Sequence, residues 1–477
     1  MSFEPRSIPV DPDAKGALAS KGLDYRLIDP SDTEALDGWI DADHRGFHHA
    51  RPREVTREYE RRVMGERRLH GVFDPGVPDP DVPVATVSSW PTGLSVPGGR
   101  SVDGWAVSSV TVSPTHRRRG IARAMMEAEL RAAEHAGAAV AMLTVTEATI
   151  YGRYGYAPAA RAATIEIDRR RAKWNGPSAP GRVHFVEPAA LRDAAAAISR
   201  RAVARTPGEI DRWAGILDRM LGLVDPESDA SRALRAIRYD DEHGQPQGFA
   251  AFRVTREPNE PGWAEFDVFA AATDDAERAL WRVLVEQDFV TGVRGRLRSV
   301  DEPIEWLLED PRAVRVVDVT DHLWVRIVDA AAALGARRYG AAGELVLDID
   351  DPLGYAAGRY TLLASADGRA VVHVPRSDGS TDAASATASN STAAPKRERS
   401  RARAAGSEGS GSRAAARAAE PRSLKLDVRD LASIYLGGVR PSVLARAGRI
   451  TASSNGALEL ADRMFASTRA PHLSIWF

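Results

Sequence analysis

The 477-residue chain contains no cysteine, which removes a disulfide framework, a thiolate zinc site and a cysteine nucleophile together. It also lacks an excess of either charge. With 64 Lys and Arg against 66 Asp and Glu, the formal net charge is −2, not the basic balance of a chain that neutralises nucleic-acid phosphates. No apolar run approaches the ~20 residues of a membrane helix, and the N-terminus MSFEPRSIPVDPDAKG lacks the apolar core of a signal peptide. The expectation is a soluble, cytoplasmic protein with neither nucleic acid nor membrane as partner. Metal-ligand patterns are equally thin. His44 and His48 have i, i+4 spacing, but Gly46 lies between them and the Glu of a zinc-protease helix is missing; His49 and His70 read as ordinary polar residues, so no metal is expected. A chain of this length exceeds one core and suggests about three domains.

What is present is concentrated at one joint. Gly104 to Val112 (GWAVSSVTV) is β-branched and strand-like, whereas Ile121 to Ala136 (IARAMMEAELRAAEHA) is rich in helix formers, with Ile121, Met125, Ala128 and Ala132 on one face. Between them stands Arg117-Arg118-Arg119-Gly120-Ile121-Ala122. Gly120 permits a tight turn, the first free N–H groups of the helix form the positive end of its dipole, and small Ala122 allows close approach. Together these make an anion cradle. A Walker loop is excluded because no Gly-Lys-Ser/Thr follows, and a dinucleotide fingerprint because Gly-x-Gly-x-x-Gly is missing. On these six residues alone, a solvated basic turn stands as the alternative.

Downstream, Ala139 to Val145 reads as a buried strand, Thr146 to Gly155 opens a short helix, and Tyr156 to Ile167 is a further strand. The Arg-x-x-Gly-x-Ala joint resembles the pyrophosphate motif of the GCN5-related N-acetyltransferases (GNAT), and Ile150-Tyr151-Gly152-Arg153-Tyr154-Gly155-Tyr156 resembles their enhanced intracellular survival (Eis-like) subgroup. The resemblance implies an α/β (α+β) fold with tandem GNAT-like domains followed by a sterol-carrier-protein-like domain. It implies acetyl-CoA as co-substrate, held by Val110 and Val112 of the strand, by Arg117, Arg118, Arg119, Gly120, Ile121 and Ala122, and by Thr146. It also implies a primary amine as acceptor, such as an aminoglycoside or another polyamine, direct transfer in a ternary complex, and assembly as a homo-hexamer.

Two catalytic residues follow from the same resemblance. Tyr151 would protonate the departing CoA thiolate, with Tyr154 in reserve; a phenol of pKa about 10 is protonated at neutral pH and matches a thiol near 8.5. An acceptor amine must lose a proton before attack, yet Trp105 to Val112 contains no carboxylate. The chain ends in the apolar Leu473-Ser474-Ile475-Trp476-Phe477, which on burial would carry the α-carboxylate inward. In the resembled subgroup that carboxylate is the base, a role that falls here to Phe477. A last core strand whose carboxylate only meets solvent is the alternative.

The expected organisation is an N-terminal tail over 1–23, an acetyl-CoA-binding domain over 24–171, a second GNAT-like domain over 172–310 and a carrier-like domain over 311–477. Trp90 to Asp103, rich in Gly and Pro, reads as a loop. In the second domain, the joint Ala272-Thr273-Asp274-Asp275 is acidic where the first is basic, so this repeat reads as degenerate and without cofactor. Ile434-Tyr435-Leu436-Gly437-Gly438-Val439 resembles the carrier-like domain, and a lipid carrier is the rival function. The segment 375–422, small-residue-rich with a basic cluster at Lys396 to Ala404, reads as a disordered insertion.

Overall fold

A computed structural model describes residues 4–255, 262–375 and 421–477, so the expected insertion, apart from its ends, lies outside the described residues. The first unit contributes β1 (Asp24–Leu27), β2 (Arg68–Phe73), β3 (Ala85–Val96), β4 (Arg100–Val112), β5 (Val140–Thr144) and β6 (Ala157–Asp168). The second contributes β7 (Arg182–Val186), β8 (Arg235–Asp240), β9 (Pro246–Thr255), β10 (Gly262–Ala271), β11 (Val290–Arg298) and β12 (Val314–Ile327). All twelve form one sheet in the order β1-β2-β3-β4-β5-β12-β6-β11-β10-β9-β8-β7. The two units exchange their last strands. β12 completes the first unit by pairing with β5, from Leu323 opposite Thr144 to Ile327 opposite Val140, while β6 pairs with β11 of the second. The boundary expected at 310 is therefore corrected: β12 belongs to the large sheet, not to the third unit.

Helices α1 (Pro12–Ala19) and α4 (Ile121–His135) cover one face of the first unit, sharing a core with Tyr25, Val72 and Trp105. On the opposite face α2 (Thr33–Gly46) packs Trp39 and Ile40 on Leu69 and Phe73, with α3 (Glu54–Met64) beside it. Strand alternation explains the division, since Leu69 and Val72 of β2 point opposite ways. The expected tail is corrected as well. Asp11 caps α1 by accepting from the Ala14 amide at 2.8 Å, Pro12 occupies its first turn, and Leu18 is fully buried. Asp11 also pairs with Arg131 of α4 at 2.7 Å, tying the chain start to the helix behind the anion cradle.

The Gly/Pro-rich stretch from Trp90 is not a loop. β3 and β4 pair from Ala85 opposite Val112 to Val96 opposite Arg100, and only Pro97-Gly98-Gly99 turns, with both glycines at positive φ.

The second unit carries α5 (Pro188–Arg205), the short α6 (Ile216–Met220) and α7 (Asp229–Arg232), and α8 (Asp274–Val285). The third contains α9 (Ala330–Ala336), β13 (Gly343–Asp350), β14 (Gly358–Ala364), β15 (Ala370–His373), β16 (Ser423–Asp427), α10 (Val428–Tyr435), α11 (Pro441–Arg446), β17 (Thr451–Ala452) and α12 (Asn455–Phe465). Its strands form a second sheet, β15-β14-β13-β16-β17. Leu345, Leu431, Tyr435 and Phe465 share one core with Ala157, Leu323 and Val325 of the large sheet. Arg326 of β12 and Asp351 pair at 2.7 Å, essentially without solvent exposure, across this junction. Breaking such a pair typically costs about 3–5 kcal/mol because the remaining charge stays buried.

Candidate active site

The site begins where two strands part. β4 and β5 run parallel through three pairs, Gly104–Val140, Trp105–Ala141 and Ala106–Met142. Beyond Ala106, β4 continues to Val112 paired with β3, while β5 pairs with β12. Between Ser108 and Thr111 the β3–β4 register slips by one residue, Ser109 takes φ 55°, and its carbonyl accepts from the Thr86 hydroxyl at 2.8 Å. That is a bulge, and it turns the backbone of β4 at the split. Val110 and Val112 lie on this diverging segment.

The loop after β4 reaches α4 through Arg118 at φ 64° and Gly120 at φ 77°. Gly120 is the helix N-cap and supplies no side-chain oxygen, so no side chain occupies the first-turn amides. A Cβ on Gly120 would also come 2.9 Å from Lys21 Nζ. The three arginines divide. Arg119 donates to Asp74 at 3.3 Å and to the Lys21 carbonyl at 3.1 Å, while Lys21 Nζ donates to the Arg119 carbonyl at 2.7 Å. It fastens the loop. Arg117 and Arg118 are exposed and form no ion pair or side-chain hydrogen bond among the described residues, leaving both guanidinium groups for an external anion. The Arg118→Ala change is expected to raise the acetyl-CoA KM about 10-fold or more, the usual consequence of losing one charge-assisted phosphate contact. Arg119→Ala should act similarly by loosening the loop. Calorimetry with CoA checks this, and unchanged affinity in the double variant would overturn it.

The corresponding joint of the second unit is closed. Thr273 Oγ1 accepts from the Ala276 amide at 3.1 Å, and Asp274 pairs with Arg205 and, at 2.7 Å, with Arg469 of the C-terminal segment. Both the cap and the negative charge oppose an anion there.

Tyr151 opens a 3₁₀ turn, Tyr151–Tyr154, between β5 and β6. It is 9% exposed and belongs to the α4-side core that contains Ile121 and borders Val110 and Val112. Burial pushes its phenol up to about 12, so the group is protonated near neutrality. Tyr154 is also buried and raised by desolvation. Gly155 ends the turn at φ 84°, where a Cβ would strike Arg326 Nε at 2.6 Å. Thr146 is exposed in the preceding loop.

The C-terminal segment is bound along its length. His472 Nε2–H donates to the Leu297 carbonyl at 2.7 Å, the Ser474 amide to Glu209 at 3.1 Å, and His322 Nε2–H to the Ile475 carbonyl at 2.8 Å. Burial holds His322 down near pKa 4, hence neutral. Finally, Thr144 Oγ1 donates to a terminal oxygen of Phe477 at 2.5 Å. Thr144 is the last residue of β5, so the α-carboxylate stands at the split. The Phe477 ring meets Trp90 edge-on at 5.6 Å and packs against the core on the sheet face opposite α4.

One carboxylate escaped the sequence reading. Asp43 continues the inward stripe Leu36-Trp39-Ile40 of α2, and that inward position was its one available signal. Among the described residues, one of its oxygens is buried without a hydrogen-bond partner. Burial pushes the carboxyl up to about 6, against the pull of Ser109 and His44. α2 lies directly on the bulged strand, where a Cβ on Gly46 would come within 2.5 Å of Thr111. Because folding raises this pKa, the group's contribution to stability is greatest below the unfolded value near 4 and is lost as pH rises through 6, reaching a cost of about 2–3 kcal/mol. Asp43→Asn is therefore expected to gain melting temperature relative to wild type between pH 4.5 and 7.5. A constant difference would contradict the shift.

His44, from the helical His pair, spends Nδ1 on the Ala50 carbonyl (2.8 Å) and Nε2 on Glu60 (2.9 Å). Among the described residues no group of three or more potential metal ligands converges. No described helix is long and apolar enough to cross a membrane.

Residues 27–159 and 208–327 each match a family described as an acetyltransferase (GNAT) domain, and 397–474 match a sterol carrier protein domain. The second match ends at the last residue of β12, in accord with the corrected boundary. An uncharacterised N-acetyltransferase of Streptomyces avermitilis is 32% identical over 464 residues, covering 94% of this chain and 97% of that protein. The N-acetyltransferase Eis of Mycobacterium tuberculosis is 31% identical over 383 residues, covering 78% and 81%. The crystal structure of Eis1 from Mycobacterium abscessus superposes with a TM-score of 0.73 at 27% identity, covering 95% of this chain and all of that one. The chain is thus matched in sequence and in space over nearly its whole length, and it belongs to the Eis-like family of GNAT N-acetyltransferases.

Proposed function

We propose that this N-acetyltransferase transfers acetyl from acetyl-CoA to a primary amine directly, in a ternary complex. The GNAT fold supports acetyl-CoA as co-substrate, and the uncapped first turn of α4 with the unpaired Arg117 and Arg118 fits a pyrophosphate. Acetyl-CoA supplies an activated thioester. In this reading Arg117, Arg118 and the amides from Gly120 to Ala122 bind its phosphates, Arg119 fixes their loop, and the backbone of Val110 and Val112 aligns the pantetheine arm, with Thr146 at the outer rim. Phe477 accepts a proton from the acceptor ammonium through its α-carboxylate. Tyr151 donates its phenolic proton toward the departing sulfur.

The observation that carries the reading is the placing of these two groups on opposite faces of the sheet. Tyr151 packs on the α4 face and Phe477 on the other, with the β4–β5 split between them. An amine can then approach from one side while the thiol leaves on the other. The absence of cysteine argues against an acetyl-enzyme route. The second unit, with its closed joint, serves as scaffold without cofactor, and the third brings the base to the site. The third unit's interior is packed with its own side chains. Buried Arg337 donates there to the carbonyls of Tyr435 and Phe465, which favours scaffold over lipid carrier. A cytoplasmic homo-hexamer completes the reading and is checked by sedimentation.

The deciding experiment is CoA release across a panel of amines that includes aminoglycosides, other polyamines and amino acids. A lipid carrier releases no CoA with any of them.

A further inference from the structure

The last hold on the C-terminal segment ahead of its carboxylate comes from His322. In β12, Asp321 lies opposite Arg161 and Leu323 opposite Ala160, so His322 is an extra residue without a partner in β6. A bulge of this kind adds a residue outside the in–out alternation and re-aims its side chain. The ring is buried, its Nε2–H donates to the Ile475 carbonyl at 2.8 Å, and the Trp476 ring meets it edge-on at 4.6 Å. A carbonyl only accepts, so Nε2 carries the proton and Nδ1 keeps its lone pair. Among the described residues, Nδ1 is buried without a hydrogen-bond partner. An apolar side chain would fill the slot without that unmet acceptor. What the imidazole adds is one donor, aimed at the chain two residues before its end.

Across the seam between β12 and β5 stands Thr144. Leu323, the residue after His322, pairs with Thr144, whose hydroxyl donates to Phe477. Two side chains on neighbouring strands therefore grip the tail on either side of Trp476. Upstream, Ser474 is fixed separately: its amide donates to Glu209 and its hydroxyl accepts from Arg212 at 2.7 Å, with Leu473 and Ile475 in the core. Losing the His322 donor thus frees the last residues while the body of the segment stays docked. The Trp476 ring cannot substitute, since it is 45% exposed. We infer that His322 is a positioning residue for acetyl transfer: by holding the Ile475 carbonyl it fixes the Phe477 α-carboxylate within proton-transfer reach of the acceptor amine. A displacement on the order of 1 Å near reacting groups costs about 10²-fold in rate. This role rests on the reading of Phe477 as base.

Glutamine places its amide nitrogen close to where Nε2 of histidine lies, whereas asparagine is one methylene shorter and reaches only the level of Nδ1. His322→Asn and His322→Leu are expected to lower kcat about 10-fold or more with the acetyl-CoA KM unmoved, and His322→Gln to restore most of the loss. The terminus itself is read with carboxypeptidase A, which removes Phe477 from the folded full-length chain only when the tail lets go; intact mass follows the removal. His322→Asn and His322→Leu should speed it about 3–10-fold, the usual weight of one hydrogen bond, and His322→Gln should not. Equal kcat in the Asn and Gln variants, a parallel rise in the acetyl-CoA KM, or equal trimming of all variants and wild type would overturn the proposal. If a C-terminally extended chain keeps full turnover, or no amine releases CoA, the reading of Phe477 as base fails separately. Trimming then still decides the hold: faster removal in His322→Asn than in His322→Gln supports it, and equal rates refute it.

Discussion

A chain extended by a few residues beyond Phe477 is expected to fold, to bind CoA and to lose turnover. Extension keeps the aromatic ring against Trp90 but converts the carboxylate into a neutral amide, which cannot accept the ammonium proton. The anchors at His472, Ser474 and Ile475 all precede the change, so melting temperature should hold. Removing Phe477 instead draws the new terminus back by about 3.5 Å along an extended chain, out of reach of Thr144 and of the amine. Steady-state turnover of carboxy-terminally tagged and untagged enzyme measures the effect. Full activity in the tagged form would refute the role of Phe477 and pass it to Asp43, whose pKa near 6 suits an internal base.

Replacing Tyr151 with Phe should lower kcat by about 10²–10⁴-fold and leave acetyl-CoA binding nearly intact, because one oxygen is lost from a buried ring. At a pKa of about 12 this phenol is a weaker acid than a free thiol, so at first sight it is poorly matched. The same desolvation raises the thiol too, which narrows the gap at the moment the sulfur leaves. It follows that Tyr151 stays protonated from pH 7 to 10 and adds no alkaline limb to kcat in that range. Wild-type kcat in Tyr151→Phe would move the acid to Tyr154 or to water.

Local chemistry was legible in the chain; long-range placement was not. The cradle at Arg117 to Ala122 could be read because Gly120 and the helix formers after it act within a few residues. α1 was missed because it is short, contains Gly16, and draws its stability from Arg131 and the α4 face rather than from propensity. Trp90 to Asp103 reads as a loop from its Gly and Pro content, yet its residues pair across β3 and β4 and only Pro97 to Gly99 turns. Nothing near Val314 to Ile327 signals that its partner is β5, far back in the chain. Asp43 shows the same limit, for residue identity does not reveal which charges are desolvated. The division of labour among Arg117, Arg118 and Arg119 likewise depends on Asp74 and Lys21, which only folding brings near.

The exchanged last strands set a timetable for synthesis. Val140 to Thr144 forms one side of the split from β4, yet the edge it offers to β12 is bare until Ile327 has left the ribosome. At about 5–20 residues per second, the interval from Thr144 to Leu323 lasts roughly 9–36 s, during which an apolar edge strand is open to unwanted pairing. The N-terminal acetyltransferase unit is thus not a free-standing module: the strand that closes its sheet beside β5 is borrowed from its neighbour, and any gene fragment that stops before Val314 leaves that edge of β5 unpaired.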